Sequence, residues 1–144
     1  MWILRRLVEL GVSHEHLILT YITRIRVYLE LNVPLWTFSI SQQLSKKIEN
    51  VQRIAAFVIL GKEAHSDYLC NLAILDLEPL DDRREKLCKK FAAKTFKHPV
   101  HSKMFEIVNL PNIRNKRSVV VPLAKTSRYK NSAIPSLANI INAL

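Results

Sequence analysis

The acidic pair Asp81–Asp82 is the first place where the residue types suggest metal-dependent chemistry. Polymerase palms hold two divalent metal ions with such a pair, which there lies on a β-hairpin. In this sequence the pair opens a charged helical pattern, and neither of the two residues before it is aromatic. Acidic side chains in the first turn stabilise the helix dipole. We therefore expect a helix N-terminus here rather than a catalytic site.

Five histidines and two cysteines are the other residues with ligand chemistry, and zinc is the metal they would suit. The segments HEH (14–16) and HPVH (98–101) bring imidazoles close together, but paired cysteine spacing is absent. Cys70 and Cys88 fall within apolar helical patterns, so we expect them in the core and the histidines on the surface. No Ser-His-Asp arrangement, phosphate-binding glycine loop or HExxH helix occurs.

Basic residues are the type that points most clearly to a ligand. The chain carries 22 Lys and Arg against 12 Asp and Glu, a formal net charge of +10. The excess is concentrated in residues 97–144, which hold eight basic residues and one acidic residue. Such a surplus favours a polyanion as partner, and charge alone is compatible with nucleic acid or with an anionic membrane surface.

Two segments, RNKRS (114–118) and KTSRYK (125–130), are rich in basic residues, and the second has them on both sides of Tyr129. This composition suits a segment that contacts phosphates, and it equally suits a solvated basic tail. In the connector PLWTFSIS, Trp36 and Phe38 allow two interpretations as well. They are a stacking platform for bases or a plug in the gap between the two helices that the connector joins, and we favour the plug.

The elements that must position these residues are predicted to be helices. An apolar fraction of 49% is enough for a packed core, and only two glycines are present. Apolar residues recur at helical spacing in several segments. The predicted helices cover roughly 2–10, 13–33, 42–60, 67–75, 79–98 and 135–143, and they define an all-α fold. Gly11 and Gly61 are expected to end the first and third helices and Pro34 the second, and Ser66 is the expected cap of the fourth.

The chain is predicted to divide into a helical domain, 1–98, and a basic extension with a terminal helix, 99–144. The first ten residues carry arginines where a targeting segment needs an apolar core. The longest apolar run, Ile54–Leu60, is far shorter than the roughly 20 residues that cross a bilayer. We therefore expect an intracellular protein, cytoplasmic or nuclear, with reduced cysteines and no membrane partner.

An ordered series of motifs resembles the C-terminal segment of non-LTR (LINE-like, jockey/CR1-type) retrotransposon reverse transcriptases. The motifs are LRRLVELGVS, IRVYLELNVPLW, IENVQRIAAFVILG, YLCNLAILDLEPLDDRREKLCKKFA and SRYKNSAIPSLANIINAL. They extend from about Trp2 to Asn142. Departures from the family pattern include Val27, Ile54 and Ala56. The resemblance implies a helical thumb-like bundle followed by a basic, loosely structured extension and a short terminal helix.

The resemblance also implies a function, that of a non-catalytic piece of an RNA-directed DNA polymerase. The fingers and the palm, with its Mg²⁺, would lie before residue 1, so we expect no cofactor in this chain and no activity from it alone. The implied partners are an RNA or DNA template–primer and the upstream palm of the same element. The alternative is a helical protein-interaction or scaffold remnant without a nucleic-acid role.

Basic residues off the apolar stripes and in the tail are the expected phosphate contacts. The predicted nucleic-acid-binding residues are Lys46, Lys47, Arg53, Arg84, Lys89, Lys90, Arg114, Lys116, Arg117, Arg128 and Lys130. No catalytic and no metal-binding residue is predicted.

Overall fold

A computed structural model describes residues 1–106 and 119–143 of the chain. Its α-helices are α1 (Trp2–Glu9), α2 (His14–Thr20), α3 (Val27–Glu30), α4 (Val33–Trp36), α5 (Gln42–Leu60), α6 (Tyr68–Ile74), α7 (Leu80–Lys97), α8 (Ser127–Lys130) and α9 (Ala133–Ala143). A π-helix, Tyr21–Arg26, joins α2 to α3, and short 3-10 helices cover Gly61–Glu63 and His101–Met104. The described residues form no β-strand, which confirms the predicted all-α fold and the terminal helix.

The chain packs as two compact units. Unit 1 comprises Met1–Leu31 and Ser41–Arg83, and unit 2 comprises Asn32–Ile40 and Arg84–Leu144. This division differs from the predicted domains, 1–98 and 99–144. The difference arises because α7 is one continuous helix whose first turn belongs to unit 1 and whose remainder belongs to unit 2. Helical periodicity predicts a buried stripe along α7 but does not specify which neighbours will cover it.

The core of unit 1 is built by α1, α2, the π-helix, α5 and α6. Its buried apolar residues are Leu4, Leu17, Tyr21, Ala55, Ala56, Ile59, Leu60, Leu72, Leu75 and Leu77. The spacing of Leu17 and Tyr21, and of Ala55 and Ile59, follows the predicted i, i+4 pattern. Burying each leucine or isoleucine side chain stabilises the fold by about 1.5–3 kcal/mol relative to leaving it exposed.

The helix ends of unit 1 agree only in part with the predicted signals. Gly11 and Gly61 follow α1 and α5 with positive φ angles of 73° and 54°, as expected for glycines that end helices. Ser41 caps α5, since its Oγ accepts a hydrogen bond from the backbone N–H of Leu44. The cap of α6 is Asp67 and not the predicted Ser66. Both residues have side chains that suit a cap, and the sequence alone does not choose between them.

The π-helix interrupts what the sequence predicts as one continuous helix. Thr20 Oγ1 and Thr23 Oγ1 donate hydrogen bonds to the carbonyls of His16 and Leu19, each at 2.8 Å. Such side-chain bonds to the preceding turn often accompany bends in helices. The segment then ends near Asn32, whose φ of 53° is left-handed, and this is two residues before the predicted stop at Pro34.

Unit 2 has its own core, formed by α7, α9 and irregular segments. Its buried residues are Ala92, Phe105, Val119, Leu137, Ala138 and Ile141, and Phe38 from the connector packs against them. Ser39 Oγ donates a 3.0 Å hydrogen bond to the carbonyl of Asn131. The connector therefore belongs to the packing of unit 2. Phe38 is covered as a plug would be, but by the unit 2 core, whereas the prediction placed it between the two helices that the connector joins.

Asparagine side chains clamp irregular backbone in both units. In unit 1 the buried Asn71 pairs with the backbone N–H and carbonyl of His65, at 2.6 and 2.8 Å. In unit 2 Asn142 makes the same pair of bonds with Val119, at 3.0 and 2.9 Å. Each carboxamide supplies one donor and one acceptor, so it satisfies both the N–H and the carbonyl of the residue that it contacts.

Replacing Asn142 with alanine is expected to destabilise the protein by about 1–3 kcal/mol, because the N–H and carbonyl of buried Val119 lose their partners. The matched control is Asn139→Ala, at an exposed position of the same helix, with an expected change within about 0.5 kcal/mol. Urea unfolding followed by circular dichroism measures both. Equal midpoints for the two variants would contradict a stabilising role for the Asn142 clamp.

Candidate nucleic-acid interface

Three of the predicted phosphate contacts, Lys46, Lys47 and Arg53, lie together on α5. Lys46 and Arg53 are seven residues apart and share one side of the helix with Asn50, and Lys47 is adjacent to Lys46. The opposite side carries the buried residues of the unit 1 core. These polar residues line an open cleft of about 500 Å³. The lining residues of this α5 cleft are Lys46, Lys47, Glu49, Asn50, Arg53 and Asp81.

The two acidic residues of the α5 cleft make hydrogen bonds within unit 1. Glu49 Oε1 accepts from the Tyr68 hydroxyl at 2.5 Å and from the backbone N–H of Leu80 at 3.2 Å. Asp81 Oδ1 accepts from Ser45 Oγ at 2.9 Å. Lys46 and Lys47 are exposed and form no ion pair within the described residues. The cleft therefore presents ammonium groups that an anion can reach.

A buried hydrogen-bond network fixes the rotation of α5. The Tyr21 hydroxyl donates to Gln52 Oε1 at 2.7 Å. Gln52 Nε2 donates to the Tyr68 hydroxyl at 3.1 Å and to the carbonyl of Glu78 at 2.9 Å. Because Gln52 is fully buried and all these partners are in unit 1, the network determines which side of α5 faces outward.

Both tyrosines of the network keep their protons over the physiological pH range. Burial raises the pKa of Tyr21 well above its ordinary value. Burial also raises the pKa of Tyr68, and its hydrogen bond to the Glu49 carboxylate adds to the shift. The phenols therefore remain donors. The Arg53 guanidinium lies 5.1 Å from the centroid of the Tyr68 ring, a cation–π contact that orients it beside the cleft.

Gln52 is a residue that the sequence interpretation missed as an organiser of this site. It lies between Val51 and Ala55, both on the predicted apolar stripe of α5. A long polar side chain inside such a stripe requires a buried partner, because an unpaired amide in the core costs free energy. That was the available signal, but the sequence does not reveal that the partners are Tyr21 and Tyr68.

Arg84 was predicted to be a phosphate contact, but the structure buries it. Only 4% of its surface is exposed, and its guanidinium lies 5.8 Å from the centroid of the half-buried Trp36 ring, in unit 2. Arg84 shares a helix side with Cys88 and Ala92, at i+4 and i+8, so it lies on the buried stripe of α7. An arginine is tolerated there because its aliphatic stem packs and its head stacks on an indole.

The remaining predicted residues are distributed over unit 2. Lys89 and Lys90 are exposed on α7, where Lys89 Nζ lies 2.6 Å from Glu85 Oε1 and lowers the pKa of that carboxyl. Arg128 and Lys130 are exposed on α8. The other predicted contacts lie outside the described residues: Arg114, Lys116 and Arg117.

Arg83 was not predicted as a contact, and the structure gives it an internal role in unit 1. Its Nε and Nη2 donate to the two carboxylate oxygens of Glu30, at 2.5 and 3.0 Å. Arg26 Nε lies 3.8 Å from the same carboxylate. A two-pronged arginine–carboxylate pair of this kind is geometrically specific. It ties α3 to the first turn of α7.

The residues with metal-ligand chemistry include a close pair, since the ring centroids of His98 and His101 lie 4.4 Å apart. In the described ranges, no group of three or more His, Cys, Asp or Glu side chains is placed to hold a metal ion. Cys88 is buried as expected, whereas Cys70 is exposed, because its position on the short helix α6 faces away from the core. Asp81 and Asp82 lie in the first turn of α7, as predicted. None of the described helices is both long and apolar enough for a membrane crossing.

Comparisons with protein-family models, with curated proteins and with solved structures found no match to this chain.

Proposed function

We propose that this chain binds nucleic acid through the phosphate backbone, without reading its sequence. In this proposal it is the thumb-type C-terminal segment of a non-LTR retrotransposon reverse transcriptase and acts on an RNA or DNA template–primer. The observation that carries the proposal is the α5 cleft. There Lys46, Lys47 and Arg53 converge on an open surface that also holds Asn50. The motif series described above supports the connection to reverse transcriptases.

The chemistry of the cleft suits phosphates better than bases. Lysine ammonium groups act as point charges for phosphate oxygens, and an asparagine amide adds a neutral donor. Contacts of this type fix the register of a strand and carry no sequence information. In a polymerase such a surface contributes by positioning, because the reacting ends must be held while chemistry proceeds at another site.

A second candidate function is a protein-interaction module without nucleic acid. Large apolar side chains on and just after α1 favour it, since Trp2 is 71% exposed and Leu10 is 78% exposed. Exposed apolar side chains of this size are typical of interaction surfaces when they are contiguous. The two candidates differ in the physical nature of the partner, and salt dependence therefore separates them.

The experiment is a salt titration of binding to a fluorescent nucleic-acid duplex. Neutralising each phosphate releases counterions, so log affinity is expected to fall linearly with log salt, by about 0.9 per phosphate contact on B-form DNA. Three contacts in the α5 cleft would give a slope of about −2.7 from this unit alone. Sequence changes in the duplex should leave affinity nearly unchanged. Absence of binding at low salt would exclude the proposal and leave the interaction module.

A further inference from the structure

Helix α8 of unit 2 carries an exposed tyrosine whose sequence neighbours on both sides are basic. Tyr129 is 40% exposed, and its neighbours Arg128 and Lys130 are exposed as well. Lys125, also exposed, lies two residues before the start of α8. Residues 119–143 contain no aspartate or glutamate, so no acidic side chain of this segment offsets these charges.

The backbone around Tyr129 is held in place within unit 2. The Tyr129 N–H donates to Thr126 Oγ1 at 3.3 Å, and its carbonyl accepts from Ser132 Oγ at 2.7 Å. The next segment is fixed by the bond from Ser39 Oγ to the carbonyl of Asn131. A ring on a fixed backbone loses little conformational entropy when a ligand covers it, which favours binding.

Two more strongly exposed aromatic side chains, Trp2 and Tyr28, lack this combination. The ring of Trp2 already has the Arg6 guanidinium 5.9 Å from its centroid, and Arg6 is paired with Glu9 at 2.7 Å. Tyr28 stands beside the exposed apolar residues Val27 and Leu31. An open ring between cations is the arrangement by which proteins bind single strands, since every base offers a π-face for stacking and the cations track the backbone.

We infer that Tyr129 stacks on an unpaired base while Arg128 and Lys130 contact the flanking phosphates. This inference rests on the proposed nucleic-acid function and adds single-stranded segments to its substrates. Bases within a duplex are stacked on each other and offer no free face. Contact with Tyr129 therefore requires a strand that extends beyond a duplex or lies free of one.

The experiment compares the full chain with Tyr129→Ala and Tyr129→Phe on three fluorescent ligands. These are a single-stranded oligodeoxythymidylate, an abasic strand of the same length and a DNA duplex of the same length. Tyr129→Ala is expected to weaken binding of the oligodeoxythymidylate on the order of 5- to 150-fold, the range for one stacked base. Binding of the abasic strand and of the duplex should not change. Tyr129→Phe keeps the ring and should bind like the unaltered chain.

The control variant is Tyr28→Ala, which removes a more exposed tyrosine from unit 1 and should leave binding of all three ligands unchanged. Circular dichroism and thermal unfolding report folding of each variant, and Tyr129→Leu replaces the alanine variant if that one does not fold. Equal binding of the oligodeoxythymidylate by Tyr129→Ala and the unaltered chain would overturn the inference. An equal loss for all three ligands would also overturn it.

The failure of this inference is distinguishable from failure of the proposed function. If Tyr129→Ala binds the oligodeoxythymidylate normally and duplex binding remains salt-dependent, the stacking platform is excluded and the phosphate-binding function stands. If the unaltered chain binds none of the three ligands at low salt, the function and the stacking platform are both excluded.

Discussion

Truncating Tyr21 to alanine is expected to lower the free energy of unfolding by about 3–5 kcal/mol, the range for removing a buried aromatic side chain. Tyr21 is fully buried at the junction of α2 and the π-helix, in the core of unit 1. Its ring packs with the core leucines, and its hydroxyl ends the polar network of Gln52 and Tyr68. The truncation therefore opens a cavity and leaves Gln52 Oε1 without its donor.

The matched variant Tyr21→Phe separates these two contributions. It keeps the ring and removes only the hydroxyl, so the expected loss is about 1–3 kcal/mol for the unsatisfied amide oxygen. Urea unfolding, followed with a probe in each unit, measures the free energy of unfolding of the two variants. We expect the loss of stability to appear in unit 1. A change below about 1 kcal/mol for Tyr21→Ala would contradict the burial of its ring in the unit 1 core.

Replacing Lys46, Lys47 and Arg53 together by glutamine is expected to make the slope of log affinity against log salt shallower by about 2.7 on B-form DNA. The reason is that three phosphate contacts, with the counterions they release, are lost. Affinity at low salt should fall in parallel for every duplex sequence, because phosphate contacts are not specific. The salt titration of the duplex measures both quantities.

The control removes the same charge at a different place. Lys62, Lys94 and Lys97 are exposed and lie outside the α5 cleft, so replacing all three by glutamine also takes the net charge from +10 to +7. This variant is expected to keep most of the slope. If both triple variants flatten the slope equally, binding depends on overall charge, and the α5 cleft is not the site.

The helices of unit 1 show which structural features follow from residues that are close together in the sequence. The apolar spacing in α5, the acidic first turn of α7 and the glycines after α1 and α5 each depend on residues within a few positions of each other. Their outcome follows from backbone geometry and from the 3.6-residue period. The clustering of Lys46, Lys47 and Arg53 on one helix belongs to the same class, since residues at i and i+7 share a side of any helix.

The candidate site depends on more than these local rules. Arg84 and Arg83 are adjacent basic residues in one charged helix. One is buried over Trp36, and the other binds Glu30. Nothing within a few positions distinguishes them, because their surroundings come from residues that are 48 and 53 positions away in the sequence. The same holds for Gln52, whose tyrosine partners are supplied by the π-helix and by α6.

The sequence by itself determined the all-α class, most helix positions, the basic character and the group of cations on α5. Each of these depends on composition or on contacts along a single helix. Only the tertiary structure decided that the boundary between units falls inside α7, that Arg84 is buried and that asparagines clamp His65 and Val119. These features arise because side chains at the border of an apolar stripe are buried or exposed according to the surface packed against them. That surface is supplied by distant parts of the chain.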